Sequence, residues 1–199
     1  GRKEMIMSEI NLITENRNYW SKRAATYSLD IREEELGGAL HHIWFETIDT
    51  IIGSHFCEKP RESISVLDIG TGPGFFSIIL AEAGYKVTAI DLSPSMLDEA
   101  KKTSICEKIE NSVAGNFRKP KSFVMSEIKD NVPLRMAGAS IKKGAYISIK
   151  LFGATTKNVC SVCTGEICNM LKKELDIDGK NIYITYHPVD FWGWDRQVF

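Results

Sequence analysis

The sequence predicts an α/β chain in two halves: a parallel β-α-β-α run first, then a β-α-β type α+β unit. Three observations predict it. Short, nearly continuous apolar runs, "ISVLDI" and "KVTAID", flank a glycine-rich turn and a helical stretch between residues 64 and 91. Such runs mark strands of a parallel sheet buried on both faces. Beyond residue 105, "SFVMSEI", "GAYISIKLFG" and "NIYITYHPV" read as strands, and one helical pattern lies between the last two.

The 199 residues, 43% hydrophobic, suffice for one substantial core or two small ones. Residues 1–105 carry 11 basic and 16 acidic side chains, and residues 106–199 carry 14 and 10, so the halves hold −5 and +4. Charges this few and dispersed argue against a nucleic-acid partner. No run approaches the roughly 18 apolar residues of a membrane span, and "GRKEMIMSEI" has acids where a secretion signal has an apolar core. A cytoplasmic location with no membrane partner is the expectation. Five scattered cysteines (Cys57, Cys106, Cys160, Cys163, Cys168) suit reduced thiols better than a disulfide framework. "CSVC" at 160–163 lacks the second ligand pair of a zinc site; it reads as small apolar helix residues, with a redox pair as the rival reading.

Residues 8–30 read as a polar helical entry with aromatics. In "EEELGGALHHIWFETIDTII", Leu36, Leu40, Ile43, Trp44, Ile48 and Ile51 recur at spacings of three and four, an amphipathic helix. His41 and His42 point about 100° apart on it and form no metal pair. "KPRES" is a loop before the first strand. "FFSIILAEAG" is a helix closed by Gly84, and "SPSMLDEAKK" opens another, with Ser93 as N-cap and Pro94 at its first position. In "NVCSVCTGEICNMLKKELDI" the apolar stripe is Val159, Val162, Ile167, Met170, Leu171 and Leu175.

In "DIGTGPG", Gly70, Gly72 and Gly74 alternate directly after the strand. Glycine there allows positive φ and lets backbone N–H groups approach a ligand. Dinucleotide binders place the third glycine one position later, where this chain has Phe75. Asp68 stands two residues before the first glycine, within reach of a cationic amine. Asp91 ends the next strand, where a carboxylate takes both ribose hydroxyls. A ligand with a ribose and an ammonium but no phosphate fits both acids.

"VLDIGTGPGFFSIILAEAGYKVTAIDLSPSMLDEAKK" resembles motif I and the following acidic motif of class I S-adenosylmethionine-dependent methyltransferases, and "NYWSKRAATYS" resembles their N-terminal cap segment. The resemblance covers residues about 15–102. It implies a Rossmann-like half with S-adenosyl-L-methionine as cofactor. Asp68, Gly70, Thr71, Gly72 and Gly74 would lie around the methionine moiety, with Asp91 on the ribose and Leu92 beside the adenine. Tyr19, Arg23 and Tyr27 would close over the cofactor.

After Lys102 no further βα units of that family are readable, so the cofactor-binding half is visible and the acceptor half is not. Residues about 121–199, ending in "NIYITYHPVDFWGWDRQVF", instead resemble the macrophage migration inhibitory factor branch of the tautomerase superfamily. Members of that branch trimerise, which implies a homo-oligomer through the C-terminal part. They also use an N-terminal proline as general base, and this chain has none at the matching place, so proton-transfer chemistry of that kind is not expected. Lys150 could still face a pocket. "KVTAIDLSPS" and "MLDEAKKTSICEKIENSVAG" could complete a β-α-β-β-α-β unit over 86–199 by borrowing a Rossmann strand. Trp192, Trp194 and Phe199 read as aromatics sealing a core or a subunit boundary.

The expected organisation is therefore a partial S-adenosylmethionine-binding domain over 1–105 and a tautomerase-like domain over 106–199. The expected function is methyl transfer to a small molecule; the alternative is a non-catalytic oligomerising or interaction module.

Overall fold

The structure is a computed structural model that describes residues 2–30 and 39–199, with side chains from Leu12 to Leu29 and from Leu40 onward. It divides into two compact units, Gly1–Ile105 and Cys106–Phe199. Among the described residues no helix is long and apolar enough to cross a membrane.

The first unit runs α1 (Arg2–Asp30), α2 (Ala39–His55), β1 (Ser65–Ile69), α3 (Phe75–Glu82), β2 (Lys86–Ile90) and the start of α4 (Pro94–Phe117). β1 and β2 pair in parallel with Val66 opposite Val87 and Asp68 opposite Ala89. This register brings the C-terminal ends of both strands, and the two acids that follow from them, to one edge of the pair. Ile64, Phe75, Ile79, Leu80 and Tyr85 form the core, and Phe45, Ile48 and Ile52 of α2 pack on it. Gly84, at φ +101, ends α3 as expected, and the Tyr85 N–H closes the turn on the Leu80 carbonyl at 3.1 Å.

Two expectations for this unit are corrected. β1 and β2 are not buried on both faces: Leu67 and Ile69 are 56% and 74% exposed, because the packed helices cover only one side of this two-stranded sheet. On α2 the packed stripe is Phe45, Ile48 and Ile52, while Leu40, Ile43, Trp44 and Ile51 are exposed. Both stripes repeat at three and four, so periodicity alone could not say which faced the core. Leu36 lies outside the described residues. His41 is half-buried, and exposed His42 sits 3.5 Å from Glu46.

A polar clamp ties α2 to the strand pair. Tyr85, buried at the mouth of β2, donates to Asp49 Oδ1 at 2.5 Å, and Arg61 grips the same carboxylate through two nitrogens at 2.9 and 2.7 Å. The Arg61 guanidinium first, then the Tyr85 hydroxyl, hold the Asp49 carboxyl below its usual range.

The second unit contains the rest of α4, then β3 (Leu134–Met136), β4 (Ala139–Ile141), β5 (Ala145–Phe152), α5 (Lys157–Leu175), β6 (Ile182–Val189), β7 (Gly193–Trp194) and β8 (Gln197–Val198). β5 and β6 pair in parallel along eight residues each, and α5 is the crossover between them. Alternation points Ile149, Leu151 and Ile182 into the core, with Cys163, Ile167 and Leu171 of α5 as the buried stripe. Thr156 caps α5 by accepting from the Val159 N–H at 3.4 Å. Asp176, left-handed at φ +54, ends it, and Lys172 reaches Asp176 and Asp178 at 2.7 and 2.8 Å. On α4, Ser112 and Asn116 both donate to Glu166 of α5 at 2.6 Å.

Here too the sequence reading needs correction. "SFVMSEI" is not a strand: a short 3-10 turn, Lys121–Phe123, leads into irregular chain with Met125 97% exposed. Its residues favour extension, but among the described residues no neighbouring strand completes a ladder. Among the described residues β2 pairs with β1, and β5 pairs with β6. In α5, Val162 is exposed and Cys163 takes the core position. The β3–β4 hairpin was not foreseen; Ala137 and Gly138, both at positive φ, form its two-residue turn. Trp192, Trp194 and Phe199 belong to a small terminal hairpin whose tip, Asp195 and Arg196, is left-handed at both positions. Trp194 meets Phe123 edge-on at 5.5 Å but stays half exposed, so it does not seal a core.

Because the folded Asp49 pKa is depressed, the clamp's stabilisation is present above the unfolded carboxylate value of about 4 and is lost as pH falls below it. Asp49→Asn should cost about 1–2 kcal/mol at neutral pH. Thermal melts from pH 7 downward should show the wild type losing more stability than the variant on acidification; parallel curves would contradict the clamp.

Candidate functional site

The glycine turn follows β1 directly. Gly70, Gly72 and Gly74 all take positive φ, at +75, +55 and +92. A chain alternating glycine with other residues can turn this sharply only if the glycines occupy the left-handed positions. The Gly70 and Thr71 N–H groups both donate to the Ile90 carbonyl, at 2.8 and 3.1 Å, which stitches the turn to the end of β2. Asp91 completes this connection: its Oδ2 accepts from the Gly72 N–H at 2.9 Å and its Oδ1 from the Ser93 N–H at 2.7 Å.

Asp68 is held by hydroxyls. Its Oδ2 accepts from Thr71 Oγ1 and Ser77 Oγ, each at 2.7 Å, and among the described residues its Oδ1 has no hydrogen-bond partner. A carboxylate oriented through one oxygen presents the other, along with the negative charge, to a ligand. Asp91 likewise keeps a lone pair on each oxygen beyond its two backbone bonds.

The glycines divide by what surrounds them. Among the described residues, chain neighbours apart, no atom lies within 4 Å of where a Gly70 Cβ would stand, and at Gly72 only Tyr27 Cε1 does, at 3.8 Å. At Gly74 the Cβ would sit 2.8 Å from the Ala100 Cβ of α4, so this glycine permits helix packing rather than ligand approach. Gly70 and Gly72 therefore line an open cradle.

α1 lies along the site. Ser21 shares a 2.9 Å hydrogen bond with Ser93, and Ala24 and Ser28 are buried. Tyr27 approaches Gly72, its Cε1 3.8 Å from where a Cβ would stand. Arg23 Nη1 donates to Tyr19 Oη at 3.2 Å, and among the described residues neither side chain hydrogen-bonds to the turn. Leu92, just past β2, is 48% exposed. Sequence reasoning missed Ser77, which completes the Asp68 network from the first turn of α3, and Ser21, whose signal is only a small polar residue on the packed side of a helix.

Nothing comparable gathers around the other candidates. The Cys160–Cys163 pair is not a disulfide, and burial pushes the Cys163 thiol up, away from a reactive thiolate. Lys150 stands on the exposed face of β5 and lines neither the groove of about 560 Å³ bounded by Ser140, Lys143 and Asn181 nor the one of about 290 Å³ bounded by Val132 and Leu175.

A left-handed glycine turn set between acids near the C-terminal ends of two parallel strands is a place where α/β folds commonly hold nucleotides and nucleosides. Residues 66–119, which span this cradle and α4, match the family described as "Methyltransferase domain". The chain is similar to the ubiquinone/menaquinone biosynthesis C-methyltransferase UbiE of Zymomonas mobilis, 32% identical over 82 residues that make up 41% of this chain and 31% of that one. It is also similar to EEF1A lysine methyltransferase 2 of Mus musculus, 36% identical over 140 residues, 68% of this chain and 52% of that one. It thus spans between about a third and a half of the length of these relatives. Among solved structures it is similar to macrophage migration inhibitory factor of Toxoplasma gondii, with a TM-score of 0.46 and 20% identity, covering 50% of this chain and 89% of that one.

Gly74→Ala should destabilise the first unit by about 1–3 kcal/mol, since it adds a clash with the Ala100 Cβ to a strained φ. Gly70→Ala carries the φ strain alone and should cost about 1 kcal/mol. Chemical denaturation of both variants checks the order; equal losses would mean that Gly74 is not packed against α4.

Proposed function

We propose that the cradle binds S-adenosyl-L-methionine and that the chain serves methyl transfer to a small molecule. The carrying observation is the pair of open glycines, Gly70 and Gly72, locked beside two acids that each keep acceptor capacity. The fit is chemical: Asp68 Oδ1 would accept from the ammonium of the methionine moiety, directly or through water. The remaining lone pairs of Asp91 would take the two ribose hydroxyls, and Leu92 would lie against the adenine. Thr71, Gly72 and Gly74 shape the turn around the methionine moiety, and the Tyr27 ring covers Gly72 and sheds water from it.

When bound, the sulfonium supplies an activated methyl group. Displacement at such a carbon depends mainly on alignment of nucleophile, methyl and sulfur. The contribution of these residues is accordingly orientation, with Asp91 holding both the turn and the ligand. The cap helix over the turn favours a small acceptor, because it narrows the approach from that side.

Isothermal titration with S-adenosylhomocysteine tests this. A saturable one-to-one isotherm is expected for the wild type, and Asp91→Asn should weaken it by roughly tenfold or more. No heat from the wild type, or equal affinity in a variant with an unchanged melt, sinks the proposal.

A second reading has its own observation. The β5–β6 pair is only two strands wide, and its outer face exposes Tyr146, Phe152 and Tyr183. Sheets this narrow gain stability from further strands or a covering layer. On this reading the second unit is a tautomerase-like, non-catalytic module that assembles three copies through that sheet. Light scattering should then return three times the chain mass; a monomer at micromolar concentration removes the trimer.

A further inference from the structure

Around α1, buried Ala24 and Ser28 and half-buried Ser21 share one face, and Trp20 and Tyr27 flank it on one side, seven residues apart. Arg23 and Tyr19 follow, each offset by about 40° from the residue four places on. The contacts are continuous: Tyr27 lies against Gly72 of the cradle, the Trp20 ring is 5.6 Å from Tyr27, Tyr19 meets Trp20 edge-on at 5.2 Å, and the Arg23 guanidinium sits 5.8 Å from the Tyr19 ring centre. The result is a run of tilted and edge-on ring contacts that starts at the cradle and winds about 80° around the helix over about 12 Å. Trp20 and Tyr19 remain accessible, at 36% and 52% exposed.

Arg23 spends one N–H on Tyr19 Oη and keeps the rest of its fork. Arg17 and Lys22 add positive charge to the described length of α1, where Glu15 is the one acid whose side chain is described. Rings with a guanidinium at their margin complement a flat ligand that carries a negative group: the rings take the face and the fork takes the anion.

We infer that Trp20, Tyr19 and Arg23 form the acceptor subsite, and that the acceptor is a planar aromatic anion. This rests on the S-adenosylmethionine reading of the cradle. It reassigns Tyr19 and Arg23 from the cofactor to the acceptor and leaves Tyr27 at the boundary between the two.

The test uses the full chain saturated with S-adenosylhomocysteine, titrated with 4-hydroxybenzoate and, separately, with the neutral 4-hydroxybenzamide. The wild type should bind the anion about fivefold more tightly than the amide, the worth of one accessible charge pair. Arg23→Gln should abolish that preference, Arg23→Lys should restore part of it, and Trp20→Phe should retain it. A purely structural role for Arg23 would lower both affinities together and leave their ratio intact. Equal binding of the two probes by the wild type, or a preference that survives Arg23→Gln, overturns the inference while the cofactor reading stands. Failure of S-adenosylhomocysteine itself to bind overturns the cofactor reading, and this inference with it.

Discussion

The bond from the Gly72 N–H to Asp91 Oδ2 is the constraint on which the cradle depends. Three left-handed glycines in five residues leave a turn with much conformational freedom, and their unfolded ensemble is correspondingly broad. Asp91 removes that freedom from a single point, since the same carboxylate also takes the Ser93 N–H that precedes α4. The turn, the end of β2 and the start of α4 are thereby fixed together. Ser93 in turn meets Ser21, which brings α1 and its rings to the site.

Local patterns in the sequence made this half legible. The strand, turn, helix and strand from 64 to 91 each carry their own signal: an apolar run, alternating glycines, a glycine stop. The two acids fall where those elements begin or end. Side-chain partnerships across elements were not legible, because nothing in a linear pattern says that Ser77 turns toward Asp68 or that Tyr27, rather than Tyr19, reaches Gly72. The α2 stripe failed for a related reason. Two apolar stripes share one helix, and only the position of the core chooses between them.

The second unit shows the limit from the other side. β5, α5 and β6 were readable because a parallel crossover demands a helix between two apolar strands. "SFVMSEI" has the same kind of residues and forms no strand, since strand character is completed by a partner and not by the segment itself. Cys163 belongs to the same lesson. A cysteine at a buried helical position acts as a small apolar residue, and the packing that hides it also raises its pKa.

On the proposed reading, ligand binding would add to the stability of the first unit. Its strand pair is covered on one side, so Leu67 and Ile69 contribute little burial, and the helices with the Asp49–Arg61–Tyr85 clamp carry much of the cohesion. The cradle lies at the open end of that pair and is held by a few polar bonds. A ligand that occupies the spare lone pairs of Asp68 and Asp91 would bind only the folded turn, and at a hundred times its dissociation constant it would add about 2.7 kcal/mol to folding. The increment would be a sizeable share of the roughly 5–15 kcal/mol that is typical of a folded domain. The same open glycines that would admit a ligand would therefore also let it add to the unit's stability.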